Sequence, residues 1–323
     1  MVSSTGFRVG CADALVDAWT RAAPGDPITA DRFRSLVLLD ANFDPEGLRI
    51  AWDGDTVIGA AYAVRRTVAM VGDDLEPARG WIPFFFVDPA HRRRGVGRRL
   101  LTEALDWLRA HGRTEVDFSS YTPNYILPGL DAQRYPEAAK LLASQGFRTL
   151  YRASAMDLPI ADHLVPTPVH ERIAELNAQG YVLSSPTADE LVPLIRLAAD
   201  HFNADWGRAI RETAAAGLPL DRVIVARDPD RRIIGWGMCA AYESVIDRFG
   251  PFGVVTERRG LGLGEALLHL CLERMRALGA HHAWFLWTGE DTPAGHLYRK
   301  TGFTTTRRFD IMRAEPAPRK EEP

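Results

Sequence analysis

Val87-Asp88-Pro89-Ala90-His91-Arg92-Arg93-Arg94-Gly95-Val96-Gly97-Arg98-Arg99-Leu100-Leu101 returns, in register, as Val254-Val255-Thr256-Glu257-Arg258-Arg259-Gly260-Leu261-Gly262-Leu263-Gly264-Glu265-Ala266-Leu267-Leu268. In each copy an apolar, β-rich run (residues 81–87 and 249–255) feeds a basic turn that carries glycines. The turn then opens a segment with helical apolar spacing. Leu100, Leu101, Ala104, Leu105 and Leu108 mark it in the first copy, and Leu267, Leu268, Leu270, Cys271 and Met275 in the second. Repetition on this scale means one architectural unit used twice.

Working outward, each helix ends near a glycine, Gly112 and Gly279, as C-terminal capping favours. A further strand follows in each half, at 114–120 and 282–288, then a short helix and a Gly-Phe pair, Gly146-Phe147 and Gly302-Phe303. Final β-rich stretches are expected to close each unit. Upstream, hairpins are expected around Asp53-Gly54-Asp55 and Asp228-Pro229-Asp230. The fold class is therefore α/β (α+β), two domains that each hold a mixed, mostly antiparallel sheet flanked by helices. The expected division is 1–160, a linker at 161–179 that carries Pro166 and Pro168 before a polar helical segment at 170–176, then 180–316, and a disordered tail at 317–323.

Composition agrees with that division. The chain has 323 residues, 46% of them hydrophobic, which suffices for two conventional cores. A formal charge of −3 gives no general attraction to polyanions, so nucleic acid is not an expected partner. The N-terminus lacks a basic segment followed by an apolar run, and no stretch of about eighteen apolar residues occurs, so the expectation is a cytoplasmic protein without a membrane partner. Cys11, Cys239 and Cys271 are scattered without metal-ligand spacing, which suggests neither a metal site nor a disulfide framework.

The chemistry is carried by R-x-x-G-x-G, which appears as Arg92-Arg93-Arg94-Gly95-Val96-Gly97 and as Arg259-Gly260-Leu261-Gly262-Leu263-Gly264. Glycines between a strand and a helix let successive backbone N–H groups approach a phosphate, and the helix presents its positive end to the same anion. One such hexapeptide could simply shape a turn; two in matched contexts point to a pyrophosphate. A dinucleotide-binding G-x-G-x-x-G is not formed, because Leu100 and Leu267 stand where its last glycine belongs. The Gly-Lys-Ser/Thr of a nucleotide P-loop is absent too.

Strand, R-x-x-G-x-G turn, long helix, strand, short helix and Gly-Phe together resemble the core of the GNAT acetyltransferase superfamily, across most of both halves. The resemblance implies acetyl-CoA as cofactor, its pyrophosphate held by the turn and its pantetheine arm paired with the backbone of the preceding strand. Phe85, Phe86 and Val87, or Phe252, Gly253 and Val254, would make those backbone contacts while their side chains pack in a core.

The family's second signature, N-x-x-A-x-x-L-Y-x-x-x-G-F, is matched by residues 291–303 with Asp291 in place of asparagine. The resemblance places Asp291 at the cofactor and makes Tyr298 the proton donor to the departing thiolate; packing alone is the other reading. In the first half Leu142 stands in the tyrosine's place, and leucine donates no proton. The loop at 121–131 either lines a pocket or bridges and packs. An attacking amine needs a base, for which Glu243 is the first candidate and Asp247 the second, surface solvation being the alternative for each. Trp287 falls on the expected strand before the Tyr298 helix, and the stretch 201–206 could wall the acceptor side or pack as ordinary aromatics.

The tandem layout resembles the mycothiol synthase family, in which the C-terminal half is the active one. The implied function is transfer of an acetyl group from acetyl-CoA to a primary amine of a small molecule by direct attack on the thioester. The contrasting reading is a noncatalytic acyl-CoA sensor or scaffold. Acceptor identity and oligomeric state are left open by the residues.

Overall fold

The structure is a computed structural model that describes residues 2–315; the expected tail at 317–323 lies outside the described residues. The chain forms two compact units. Unit 1 runs to Ala153 and resumes at Arg308, and unit 2 is Ser154–Arg307.

In chain order, unit 1 contributes β1 (Val2–Thr5), α1 (Ala12–Ala22), α2 (Ala30–Phe33), β2 (Leu48–Asp53), β3 (Thr56–Val64), β4 (Arg79–Val87), α3 (Val96–Ala110), β5 (Glu115–Phe118) and α4 (Pro136–Ser144). β6 (Arg148–Pro159) then carries the chain from unit 1 into unit 2. β1 to β4 form an antiparallel meander, and β4 lies parallel to β5 from Arg79↔Glu115 to Ile82↔Phe118. β3 is buried at every position but the first, because the sheet has helices on both faces. Ala60, Tyr62 and Val64 join Leu15, Ala18 and Trp19 of α1, while Ile58, Ala61 and Ala63 join Leu100, Leu101, Ala104 and Leu108 of α3.

Unit 2 holds α5 (Thr167–Ala178), β7 (Val182–Ser184), α6 (Leu191–His201), α7 (Ala204–Ala215), β8 (Val223–Arg227), β9 (Ile233–Cys239), β10 (Phe249–Val254), α8 (Leu263–Ala277), β11 (His282–Thr288) and α9 (Pro293–Thr301). β12 (Thr304–Ala314) leads from unit 2 back into unit 1. β7 to β10 are antiparallel neighbours, and one parallel bridge, Arg248↔Trp284, joins the start of β10 to β11. Leu194 and Ala198 of α6 and Ile210 of α7 form one core with Val225, Trp236 and Met238. Leu267, Leu268, Cys271 and Met275 of α8 form the other with Ile224, Ile234 and Phe285.

Two features differ from the sequence expectation. The closing strands are exchanged. Residues 154–159 of β6, which follow the first Gly-Phe pair, lie antiparallel to β11 in unit 2, and residues 312–314 of β12 lie antiparallel to β5 in unit 1. A strand satisfies the open N–H and C=O groups of whichever edge it reaches, so β-patterning specifies that these stretches are strands and leaves the partner open. The division consequently falls at Ala153/Ser154 and Arg307/Arg308 rather than in a linker. The helical segment expected at 170–176 is longer, α5, and its Leu176 sits in the core of unit 2 rather than in a polar linker. Pro166 is its N-cap and Pro168 lies in its first turn, where a fixed φ and a missing N–H suit a helix start.

Candidate active site

The two glycine turns adopt the same backbone. Gly95 (φ 82°) and Gly262 (φ 79°) are left-handed N-caps of α3 and α8, and two residues earlier Arg93 (φ 62°) and Gly260 (φ 84°) are left-handed as well. Arginine tolerates that conformation at a cost of roughly 1–2 kcal/mol, which glycine avoids. Neither N-cap glycine offers a side-chain acceptor, so the first N–H groups of both helices are left for an external anion. No atom lies within 4 Å of the Cβ position of Gly95 or Gly260. This donor set fits a pyrophosphate.

The leading arginines act differently from a simple phosphate clamp. Arg92 Nε donates to Val87 O (3.1 Å) and its Nη2 to Ala22 O (2.7 Å); Arg259 Nε donates to Val254 O (3.3 Å). Each ties its turn to the end of the preceding strand. Arg93 pairs with Glu137 at 3.2 Å, and Arg94 is exposed. Leu261 and Leu263 flank Gly262, with Leu263 buried under α8; Val96 takes the same buried place under α3. Gly97 and Gly264 occupy the first turns of α3 and α8.

Beyond each turn's strand the sheet opens. In unit 1, β4 and β5 part after Ile82 and Phe118. Phe85 meets Phe118 at 5.7 Å and Phe118 meets Phe147 at 6.4 Å, while Phe86 packs against Trp19 at 5.5 Å. In unit 2, β10 and β11 touch at Arg248 and Trp284 and have no further ladder among the described residues. Phe252, Gly253 and Val254 pair through their other edge with Gly237, Trp236 and Gly235. Gly253 has a reason to lack a side chain, since the Phe202 ring would stand 2.5 Å from a Cβ there.

Tyr298 is brought to this opening by α9. Its ring lies 4.5 Å from Phe285, 5.4 Å from Phe303 and 6.2 Å from both Phe249 and Phe252, and only 7% of the residue is exposed. Burial raises the phenol well above its ordinary pKa, so it stays protonated at neutral pH. The α9 N-terminus is built by Thr292, whose hydroxyl accepts from Gly295 N at 3.1 Å, and Asp291 is exposed just before it. Gly295 was not singled out from the sequence. A methyl there would meet Glu290 O at 2.5 Å, so glycine lets α9 lie against the loop that follows β11. Leu142, in the matching place of unit 1, is fully buried among Phe118, Phe147 and Leu101.

The acceptor-side candidates fare unequally. Glu243 is an exposed left-handed residue (φ 55°) whose Oε1 accepts from Arg248 Nη1 at 3.1 Å. Arg248 is itself buried, with its guanidinium 4.6 Å from the Tyr242 ring centre and 5.6 Å from Trp284. This ion pair engages the Glu243 carboxylate. Asp247 differs: its Oδ1 is buried without a hydrogen-bond partner among the described residues, while its backbone O accepts from Trp284 N at 2.9 Å. Phe202 stacks on Trp206 at 5.8 Å and meets Trp236 edge-on at 4.7 Å, so the stretch 201–206 both packs and covers β10. Trp287 is half-buried on β11. In unit 1 the 121–131 loop is a packing element. Tyr121 is 1% exposed, lies 5.2 Å from Trp81 and donates to Asp40 Oδ1 at 3.0 Å.

Two units of mixed sheet, each with a strand leading through an uncapped glycine turn to a long helix, define a tandem acyltransferase architecture. The chain belongs to the acetyltransferase (GNAT) family, whose model matches residues 12–125 and 191–303. It is an acyltransferase enzyme. A relative named mycothiol acetyltransferase, from Clavibacter sepedonicus, is 30% identical over 297 residues, covering 90% of this chain and 86% of that protein. Among solved structures, a glucosamine N-acetyltransferase region of a fungal multi-domain beta-N-acetylglucosaminidase superposes with a TM-score of 0.80 at 19% identity, covering 97% of this chain and 38% of that one. A tandem GNAT protein from the clavulanic acid biosynthesis pathway gives a TM-score of 0.66 at 18% identity, covering 99% and 100% of the two chains. Among the described residues, no helix is long and apolar enough to cross a membrane.

Proposed function

We propose that unit 2 binds acetyl-CoA and passes its acetyl group to a primary amine of a small molecule by direct attack on the thioester. The observation that carries this reading is Tyr298. The sole phenol at the signature position of either half sits at the opening between β10 and β11, and burial keeps it protonated. Acetyl-CoA supplies an activated acyl thioester. The backbone of 259–264 and the first N–H groups of α8 hold its pyrophosphate, and the open edge of β10 pairs with the pantetheine arm. Backbone N–H groups of β10 polarise the thioester carbonyl as charge builds on its oxygen. Tyr298 gives its proton to the sulfur as the carbon–sulfur bond breaks, and the amine's proton passes to a carboxylate through water.

Glu243 and Asp247 are the carboxylates proposed for that last step, and Asp247 has the unengaged oxygen. Unit 1 is proposed to hold coenzyme A at its matching turn without transferring the acetyl group, since Leu142 offers no proton there. The noncatalytic reading thus applies to unit 1 alone. A relative named mycothiol acetyltransferase and a neighbour named for glucosamine support a small-molecule amine as acceptor.

The test is coenzyme A release measured against a panel of amino sugars, amino acids, polyamines and thiol conjugates bearing an amine. Amine-dependent release, lost in Gly264→Glu and kept in Gly97→Glu, is the expected result. Release that survives Gly264→Glu and disappears in Gly97→Glu would place the chemistry in unit 1.

A further inference from the structure

The two turns share a backbone but not a charge. Where the first carries Arg93, Arg94, Arg98 and Arg99, the second carries Gly260, Leu261, Glu265 and Ala266. Of its remaining arginines, Arg258 Nη2 reaches Asp228 Oδ2 at 3.4 Å, and Arg259 Nε donates to Val254 O at 3.3 Å. Lys300 is paired with Glu265 at 2.7 Å. A pyrophosphate placed on this turn would meet N–H dipoles and fewer cations than at the first, where Arg93, Arg94, Arg98 and Arg99 stand.

A further cation arrives from outside the repeated core. Arg172, on α5, donates from Nε to Leu261 O at 2.8 Å, the carbonyl that lies between the two left-handed glycines of the turn. Its side chain lies so close across Gly262 that a Cβ there would stand 2.9 Å from Nε and 3.0 Å from Cγ. Gly262 is therefore required twice, once for its positive φ and once for this crossing. The guanidinium sits beside the N-terminus of α8, since Gly262 is that helix's N-cap. Nη1 pairs with the exposed Glu175 at 2.7 Å, and Nη2 makes no protein hydrogen bond among the described residues. In unit 1 no atom comes within 4 Å of the equivalent position at Gly95, and there the turn carries its own arginines.

We propose that Arg172 is a pyrophosphate ligand of the second turn, adding from α5 positive charge to a turn that carries fewer cations than its counterpart. This rests on the reading that the turn of unit 2 holds coenzyme A. Anchored through Nε, the guanidinium is oriented before the ligand arrives. It offers Nη2, and Nη1 when Glu175 yields, for charge-assisted hydrogen bonds to phosphate oxygens. α5 thereby joins the cofactor site although it lies outside both copies of the repeat.

The test is hydrogen–deuterium exchange on the full chain, titrated with coenzyme A, following the 259–268 segment. Wild-type protection of that segment establishes the underlying site; if it is absent, the cofactor reading itself fails. Given that protection, Arg172→Gln is expected to raise the titration midpoint at 259–268 about tenfold, as loss of a charge-assisted contact predicts, while leaving the response at 92–98 as in wild type. The same shift is expected with dephospho-coenzyme A, which keeps the pyrophosphate and lacks the 3′-phosphate. An unchanged midpoint, even with faster exchange of the free protein, would make Arg172 a structural brace only. A shift seen with coenzyme A and lost with dephospho-coenzyme A would overturn the pyrophosphate assignment.

Discussion

Replacing Tyr298 by phenylalanine removes one hydroxyl from the proposed site and almost nothing else. The ring is held by Phe249, Phe252, Phe285 and Phe303 at centroid distances of 4.5–6.2 Å, all contacts that phenylalanine keeps. The hydroxyl makes no hydrogen bond to another described residue, so its loss strands no buried partner, and the expected change in stability stays under about 1 kcal/mol. Loss of a general acid costs about a hundredfold in turnover when thiolate departure limits the rate, or about 2.7 kcal/mol at the barrier. The assay is coenzyme A release at saturating amine, with acetyl-CoA affinity measured calorimetrically on the same preparation. Turnover should fall while affinity stays within about twofold, because the phenol acts on the sulfur only as the bond breaks. Since burial raises the phenol's pKa, wild-type turnover should show no loss up to about pH 9 from its ionisation. Full turnover in Tyr298→Phe, with the fold and affinity intact, would remove this residue from the mechanism.

Gly264→Glu should abolish protection of the 259–268 segment by coenzyme A. The nearest atom to a Cβ at Gly264 is Leu297 Cδ2 at 3.6 Å, an ordinary contact, so a folded variant that still binds would reject the pyrophosphate assignment. Leu142→Ala removes a fully buried side chain from the core of unit 1 and should cost about 2–5 kcal/mol in urea unfolding; a change under about 1 kcal/mol would mean that position is not packed as described. His269 is 4% exposed, with Nδ1 3.3 Å from Nε2 of His163, and burial together with that neighbour lowers its pKa to about 4. Below pH 6.5 the unfolded chain takes up a proton that the folded one refuses. Stability is therefore greatest above that pH and falls toward pH 4, by about 2 kcal/mol from this group between pH 7 and 5. His269→Leu should lose that part of the pH dependence, and parallel stability curves for the two proteins would contradict the assignment.

Features that depend on local backbone chemistry are readable from the residues alone. Glycines spaced between a strand and a helix require left-handed residues at the turn, and Gly95, Gly260 and Gly262 are left-handed. Leu-Tyr-x-x-x-Gly-Phe against Leu-Leu-x-x-x-Gly-Phe told the halves apart, and Tyr298 and Leu142 both lie where those short helices place them. Which distant groups meet is set only in the folded chain. Strand patterning marks 154–159 and 312–314 as β without naming a partner edge, so their exchange was not legible. The helix after Pro166 and Pro168 is legible in the sequence, whereas the burial of Leu176 in the core of unit 2 is not. The motif puts Arg259 at the turn, where the folded chain bonds its Nε to the end of β10, and only the fold brings Arg172, far earlier in the chain, across Gly262. Glu243 and Asp247 are neighbours of like charge in the sequence, and Arg248 neutralises one of them. Turn conformation follows from residues within a few positions of one another, whereas ion pairs and strand partners follow from which open edge or charge the folded chain brings near.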